Sequence, residues 1–272
     1  MNNHYEPYVR NKRDLKVPYI SCQDYTNLEQ ASKLIPALKQ INQSERHLAD
    51  ATNAYSYILR SNNDDDIHKS IKYGIWTSSK ENNEKLNAKY LEAQQDEIPV
   101  YLFFSVVRSG QFVGVAKLTS GYKEESFQYW WEIKKWKGHF NVQWLYVKDV
   151  PNKHFEHLRN RLELIITVNS DNVEVTRSRD GVCLSWETGK EMMKIFEEFS
   201  DKKSILNDFT VIDEREQALR QYKYQMQQQR NQQQYYPYYQ YQYYDYQQQY
   251  QQYPQKYQQQ QYQNYYWQQP QK

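Results

Sequence analysis

Seven tryptophans say most about the chemistry open to this chain: Trp76, Trp130, Trp131, Trp136, Trp144, Trp186 and Trp267. Trp131 and Trp136 sit in YWWEIKKWKG, a polar, lysine-rich stretch between two strand-like runs. An indole in such a loop exposes about 200 Å² of apolar surface unless something covers it. It is either buried against its own domain or offered to a ligand, as a stacking face for a nucleobase or a methylated group. Trp76 follows a helix end at Gly74, whereas Trp144 lies among apolar strand residues and Trp186 opens a helix, so the last two read as core. Acid–base and metal chemistry have less to stand on. His154 and His157 have Glu156 between them, which is not the HExxH arrangement of a zinc enzyme. Asp64-Asp65-Asp66 reads as the acidic start of a helix, complementing its dipole, rather than as a cation site. Cys22 and Cys183 are too few for a disulfide framework or a Cys-based zinc site and suit a reducing compartment. Neither GxGxxG nor GxxxxGK[ST] occurs, which argues against a phosphate-cradling loop. A non-catalytic binding protein without metal or cofactor is expected.

The elements that must hold these residues follow from periodicity. Leu28, Ala31, Leu34, Ile35, Leu38 and Ile41 form one helical face that Pro36 breaks. Tyr57–Leu59 reads as a strand, followed by a helix whose apolar positions are Ile67, Ile71 and Ile75, and then a polar helix over Asn83–Ala93. Val100–Val107 and Phe112–Leu118 are strands joined by a hairpin turn at Arg108-Ser109-Gly110. Phe140, Val142, Trp144 and Tyr146 alternate along a third strand that ends at Pro151. Asn152–Arg161 reads as a helix, Val173–Thr176 as a strand and Glu187–Phe199 as an amphipathic helix. Interleaved strands and helices with one hairpin indicate a mixed α/β (α+β) sheet, not a doubly wound one.

Composition sets the limits. The 272 residues carry 35 basic and 33 acidic side chains, a net charge of +2. Lys223, Arg230, Lys256 and Lys272 against Asp245 alone bring residues 221–272 to +3, so residues 1–220 net −1. Nucleic-acid binding by the body must therefore use a local patch, for which Lys134, Lys135, Lys137, Arg177 and Arg179 are candidates. Mean hydropathy is −1.09 and the longest apolar run is Val100–Phe104, far short of a membrane span. The first thirty residues show no hydrophobic signal segment, so secretion is not expected. From residue 221 onward the chain is dominated by Gln and Tyr and contains no Ala, Val, Leu, Ile, Phe or Cys. Such a segment cannot offset its ordering entropy by burial, and it reads as a disordered, self-associating tail. The expected division is a weakly ordered N-terminal segment over 1–53, a globular domain over 54–210, and a linker and low-complexity tail over 211–272.

Four blocks occur in one order: DDDIHKSIKYGIW, PVYLFFSVVRSGQFVGVAKL, WEIKKWKGHFNVQWLYVKDVPN and VTRSRDG. Together they resemble the YTH domain, whose members read N6-methyladenosine in RNA. The resemblance covers about Tyr55 to Phe209 and is nearest to the cytoplasmic branch with a three-tryptophan cage. It implies a curved, barrel-like sheet flanked by helices, and an mRNA reader that is cytoplasmic or nuclear. It places the cage walls at Trp76, by the IW motif, and at Trp131 and Trp136, by the WxxxxW loop. It further implies an adenine contact at Asp66, a polar partner at Asn62, and a backbone carbonyl at Thr77 for the methylated N6–H. It also implies a phosphate contact at Arg179 and a basic residue near the RNA at Arg60. The chain departs from the cytoplasmic branch at Val107, where an Asn is usual in the turn after the LFFSV strand. Its low-complexity region follows the domain, where many members carry it before the domain. Two other readings compete: a methyl-lysine reader, since aromatic cages also hold quaternary ammonium groups, and a condensate scaffold whose domain has lost its ligand.

Overall fold

A computed structural model describes Leu15 and residues 24–43, 48–130, 135–159, 173–200 and 203–232. The strands are β1 (Tyr55–Ser61), β2 (Ile75–Trp76), β3 (Val100–Val106), β4 (Gln111–Leu118), β5 (Phe140–Pro151) and β6 (Val182–Leu184). The helices are α1 (Leu28–Leu34), α2 (Asp64–Tyr73), α3 (Lys80–Gln95), α4 (Trp186–Glu198) and α5 (Phe209–Gln232). The strands make one six-stranded sheet in the order β2-β5-β4-β3-β1-β6. β1 and β3 run parallel, joined by a crossover through α2 and α3, and every other pairing is antiparallel. The expected mixed architecture is the one observed, with the hairpin turn between β3 and β4 as anticipated. Arg108 and Gly110 take positive φ in that turn.

The sheet is covered on both faces, and its central strand shows why. All seven residues of β3 are buried; Leu102 and Phe104 point to one core while Tyr101 and Phe103 point to the other. One core packs α2, α3, the N-terminal helical turns and the start of α5; the other packs α4. On β5 the simple alternation expected from the sequence fails. A register shift opposite Val115/Ala116 makes Leu145 an extra residue. Trp144 consequently faces the α2 core and Tyr146 the α4 core. Such a bulge bends the strand and helps the sheet curl. Gly114 permits it, since a Cβ there would lie 2.4 Å from the Tyr146 carbonyl oxygen and 2.8 Å from the Trp144 ring.

Several expectations need correction. Residues 24–43 and 48–53 pack on the domain, burying Tyr25, Ala31, Ile35, Leu38, Ile41 and Ala49. Pro36 does end α1, and the chain continues as a 3₁₀ turn, Pro36–Gln40. Asn152–His154 is a single 3₁₀ turn and Val175–Arg177 another, where a helix and a strand were expected. Ile75 begins β2 and is not helical, because Gly74 closes α2 in the left-handed conformation at φ 63°. Trp144 is core, with its Nε1 donating to Ser70 Oγ at 3.1 Å. Trp186 is only half-buried; it stacks on Tyr101 and donates to the Ala51 carbonyl at 3.2 Å.

The largest surprise is α5, which runs to Gln232 through sequence read as linker and tail. Its buried positions Phe209, Ile212, Asp213 and Glu216 follow helical spacing, but two of them are acids, so the stripe does not look apolar. The chain forms two units, residues 1–220 and 221–272. The expected tail beyond Gln232 lies outside the described residues.

Candidate ligand pocket

The local sequence around α2 assembles one side of a small, solvent-open cavity. Asn63 caps the helix: its side-chain carbonyl accepts from the Asp66 backbone N–H at 2.8 Å. The cap is thus Asn63, and the three aspartates fill the first turn behind it. The cap holds Asp66 at the cavity wall with Asn62 beside it, exposed at the rim. Asp66 is buried; its carboxylate accepts from Asn63 Nδ2 at 3.2 Å and from the Lys69 ammonium at 3.3 Å. At the far end of α2, the left-handed turn at Gly74 sends Ile75 and Trp76 into β2, where Trp76 pairs with Phe140.

Among the described residues three indoles line the cavity: Trp76, Trp130 and Trp136. Trp76 meets Trp130 edge-on at 5.9 Å between ring centroids and Phe104 at 4.9 Å. Trp136 is half-buried, with the Lys135 ammonium 4.5 Å from its ring centroid. Thr77 ties two of the walls together: its hydroxyl donates to the Lys137 carbonyl at 3.0 Å and accepts from Asn83 Nδ2 at 3.1 Å. The base of the loop that carries Trp130 and Trp136 is closed by Ser126 Oγ, which accepts from Gly138 N–H at 3.0 Å, and by paired backbone bonds between Lys123 and His139. The indole N–H groups of Trp76 and Trp130 are buried and have no acceptor among the described residues. A buried donor without a partner is uncommon in a settled core.

The polar rim is built around Asp180. Its carboxylate accepts from Arg60 N–H, Ser78 Oγ and Asn82 Nδ2, each at 2.8 Å, which joins β1, the start of α3 and the segment after Arg179. Arg60 lines the cavity, and its guanidinium donates to the carbonyls of Ser178 at 2.6 Å and Thr176 at 2.8 Å and to Ser105 Oγ at 3.3 Å. Burial pulls its pKa below the usual arginine value, partly opposed by Asp180. Arg60 therefore fixes the strap that presents Arg179, and Arg179 itself is exposed and outside the cavity lining. Lys135, Lys137 and Arg177 are exposed too, Arg177 in an ion pair with Glu174 at 3.1 Å.

Of the expected site residues, Trp76, Trp136, Asp66, Asn62, Thr77 and Arg60 come together in the cavity wall. Trp131 and Lys134 lie outside the described residues. Sequence reasoning passed over Trp130, Ser61, Ser78 and Asp180. The doubled Trp130-Trp131 was a signal for the first and the Arg179-Asp180 pair for the last. Val107, the departure from the family pattern, is exposed and is not part of the cavity lining.

A second polar cluster lies between α2 and α5. His68, Asp213 and Glu216 bring three ligand-type groups within 4.8 Å of one another. The Lys72 ammonium already bridges the two carboxylates, donating to Asp213 and, at 3.3 Å, to Glu216. A cation is thus built into the chain there, and the cluster is an internal ion network rather than a metal centre.

The comparisons agree with this geometry. Residues 54–197 match the model of the YTH family, described as the YT521-B-like domain, and the chain belongs to that family. The YTH domain-containing protein ECT2 of Arabidopsis thaliana is 40% identical over 192 residues, which is 70% of this chain and 28% of that protein. The human YTH domain-containing family protein 2 is 39% identical over 171 residues, 63% of this chain and 28% of that protein. The chain thus matches under a third of the length of these curated relatives. Among solved structures, the Pho92 YTH domain in complex with m6A superposes with a TM-score of 0.51 at 26% identity, covering 57% of this chain and 93% of that one.

Proposed function

We propose that this chain reads N6-methyladenosine in single-stranded RNA without catalysing a reaction. The observation that carries this reading is the convergence of Trp76, Trp130 and Trp136 on a cavity whose polar wall is Asp66, Asn62 and Thr77. Membership of the YTH family and the likeness to a YTH domain crystallised with m6A support it. N6-methyladenine is neutral. Indole faces stack on the base and enclose the methyl, whose burial contributes roughly 0.8 kcal/mol. Unmethylated adenine leaves a second N–H unpaired among apolar rings, at a cost of about 1–3 kcal/mol. Together these give about 20- to 600-fold discrimination as an upper range, because water can rescue the N–H. The charges also favour a neutral ligand over methyl-lysine. Arg60 and Lys69 stand beside Asp66 and Asp180, so the cavity carries no excess negative charge to hold a cation. Arg179, Lys135 and Lys137 supply the strand-holding cations outside it.

The test is a titration of paired methylated and unmethylated RNA nonamers. Preference for the methylated strand by tenfold or more is expected, and equal affinity overturns the reading. The reading extends to a cytoplasmic or nuclear role in mRNA fate and to self-association through residues 221–272. The support for self-association is sixteen tyrosines in a segment free of aliphatic residues. Deleting residues 233–272 should leave nonamer affinity within about twofold and raise the concentration needed for condensation with multiply methylated RNA. Equal saturation concentrations would make the tail a passive extension.

A further inference from the structure

We propose that α5 positions one wall of the pocket, with Arg220 as the positioning residue. This rests on the reading of the pocket as an N6-methyladenine site. The helix lies beyond residues 54–197, the part of the chain that matches the family model. Arg220 nevertheless reaches the loop that carries the indoles. Its guanidinium carbon lies 3.6 Å from the centroid of the Tyr129 ring, a stacking distance, and 5.9 Å from that of Phe127. Tyr129 precedes Trp130 directly, and Phe127 packs edge-on against Trp130 at 5.1 Å. Trp130 in turn meets Trp76 across the cavity wall.

The other end of Arg220 is anchored in the ion network. Its Nε donates to Glu216 Oε1 at 2.8 Å and its Nη2 to the Tyr73 hydroxyl at 2.7 Å. Tyr73 donates to the same Glu216 oxygen at 2.6 Å, and Lys72 holds the second. The charge of Glu216 raises the Arg220 pKa against the effect of burial, so the guanidinium stays charged. A planar group held at its edges by α2 and α5 turns its face to the loop. That face meets Tyr129, one residue from a pocket wall. Arg220 thus transmits the position of α5 to Trp130 through its aromatic contacts, the Tyr129 stack first among them, and a displaced wall weakens stacking on the methylated base before it affects the phosphate contacts.

The full chain is titrated with methylated and unmethylated nonamers as wild type, Arg220→Met, Tyr129→Leu and the double variant, each well below its Tm. Arg220→Met keeps the apolar stem and removes the planar cation; Tyr129→Leu removes the stacking face and leaves the ion network intact. Each should lower affinity for the methylated strand by about 2- to 30-fold, the span of couplings carried through packed side chains. The loss for the unmethylated strand should be smaller, so the ratio falls. The double variant should lose no more than the worse single one, as expected when two residues act through one contact. A lower Tm alone does not count, since a purely structural role would produce it. A wild-type preference that persists within twofold in Tyr129→Leu overturns the proposal, whether or not Arg220→Met folds. Absence of preference in the wild type overturns the reading of the pocket, and this proposal with it.

Discussion

The two ends of α2 face opposite kinds of environment. At its start, Asp66 borders a cavity where two buried indole N–H groups find no acceptor among the described residues. At its end, Lys72 and Tyr73 enter a network in which carboxylates, ammonium, phenol and guanidinium satisfy one another. Both regions bury polar groups; the second pairs its charged side chains internally, with His68 Nδ1 its one buried ring nitrogen lacking a partner among the described residues, whereas the first leaves two indole N–H groups unpaired at the cavity. Buried polar groups are costly unless hydrogen-bonded. A region that leaves them unpaired beside an open, aromatic cavity is built for a ligand, and a region that pairs them is built to hold elements together. The difference separates binding from stability on a single helix ten residues long.

The sharpest way to break this contrast is at the network. Asp213→Ala should cost about 3–5 kcal/mol of stability, because Lys72 loses a buried partner; chemical denaturation would read it. The acid response has a defined sign. Burial alone would raise the Asp213 carboxyl, but the His68 hydrogen bond and the Lys72 charge hold it below the ordinary 3.8. Its contribution is therefore present above that value and lost as pH falls through the folded pKa. The advantage of wild type over Asp213→Asn should shrink below about pH 3.8 in a pH series of unfolding curves.

At the other end of the helix, Trp76→Ala should act on affinity. Stacking on one indole contributes roughly 1–3 kcal/mol, so binding of the methylated nonamer should weaken by about 5- to 150-fold. Trp144→Ala serves as the control indole, since its loss should appear in unfolding curves as a cost of about 3–5 kcal/mol. If Trp76→Ala kept the methylated-to-unmethylated ratio in folded protein, the pocket would not be the reading site.

Asp149 sharpens the comparison from a third position. Burial, only partly offset by a hydrogen bond from Gln111, pushes its carboxyl up to about 6. A raised carboxyl favours the fold below its unfolded pKa, and this benefit is lost as pH rises through about 6. Asp149→Asn should therefore raise Tm at pH 8 by about 2–4 °C, roughly 1 kcal/mol, and should not do so at pH 4. The smallest effect belongs to Arg179→Ala. It should weaken methylated and unmethylated RNA alike, because a phosphate contact holds the strand without reading the base. The slope of log affinity against log salt should flatten by about 0.7. An unchanged slope would remove Arg179 from the interface.

The sequence by itself determined the parts that periodicity and local chemistry control. Short apolar runs bounded by turn residues specified β1, β3 and β4, and Pro36 and Gly74 ended α1 and α2 where their backbone preferences require. The resemblance to the YTH domain, carried by the four ordered blocks, named Trp76, Trp136, Asp66, Asn62, Thr77 and Arg60 in the pocket lining before any contact was known. Tertiary structure alone decided what depends on partners distant in the chain. The bulge on β5 sends Trp144 and Tyr146 to opposite cores because Gly114 lets the strands approach, and no alternation pattern records a partner strand. His68 and Lys72 look like a solvated face of α2, and the carboxylates of α5 like a solvated helix. They are buried because Asp213 and Glu216 stand 141 and 144 residues from Lys72 in the chain and meet it in space. A charge reads as exposed until its counter-charge is found, and that pairing is a property of the folded chain.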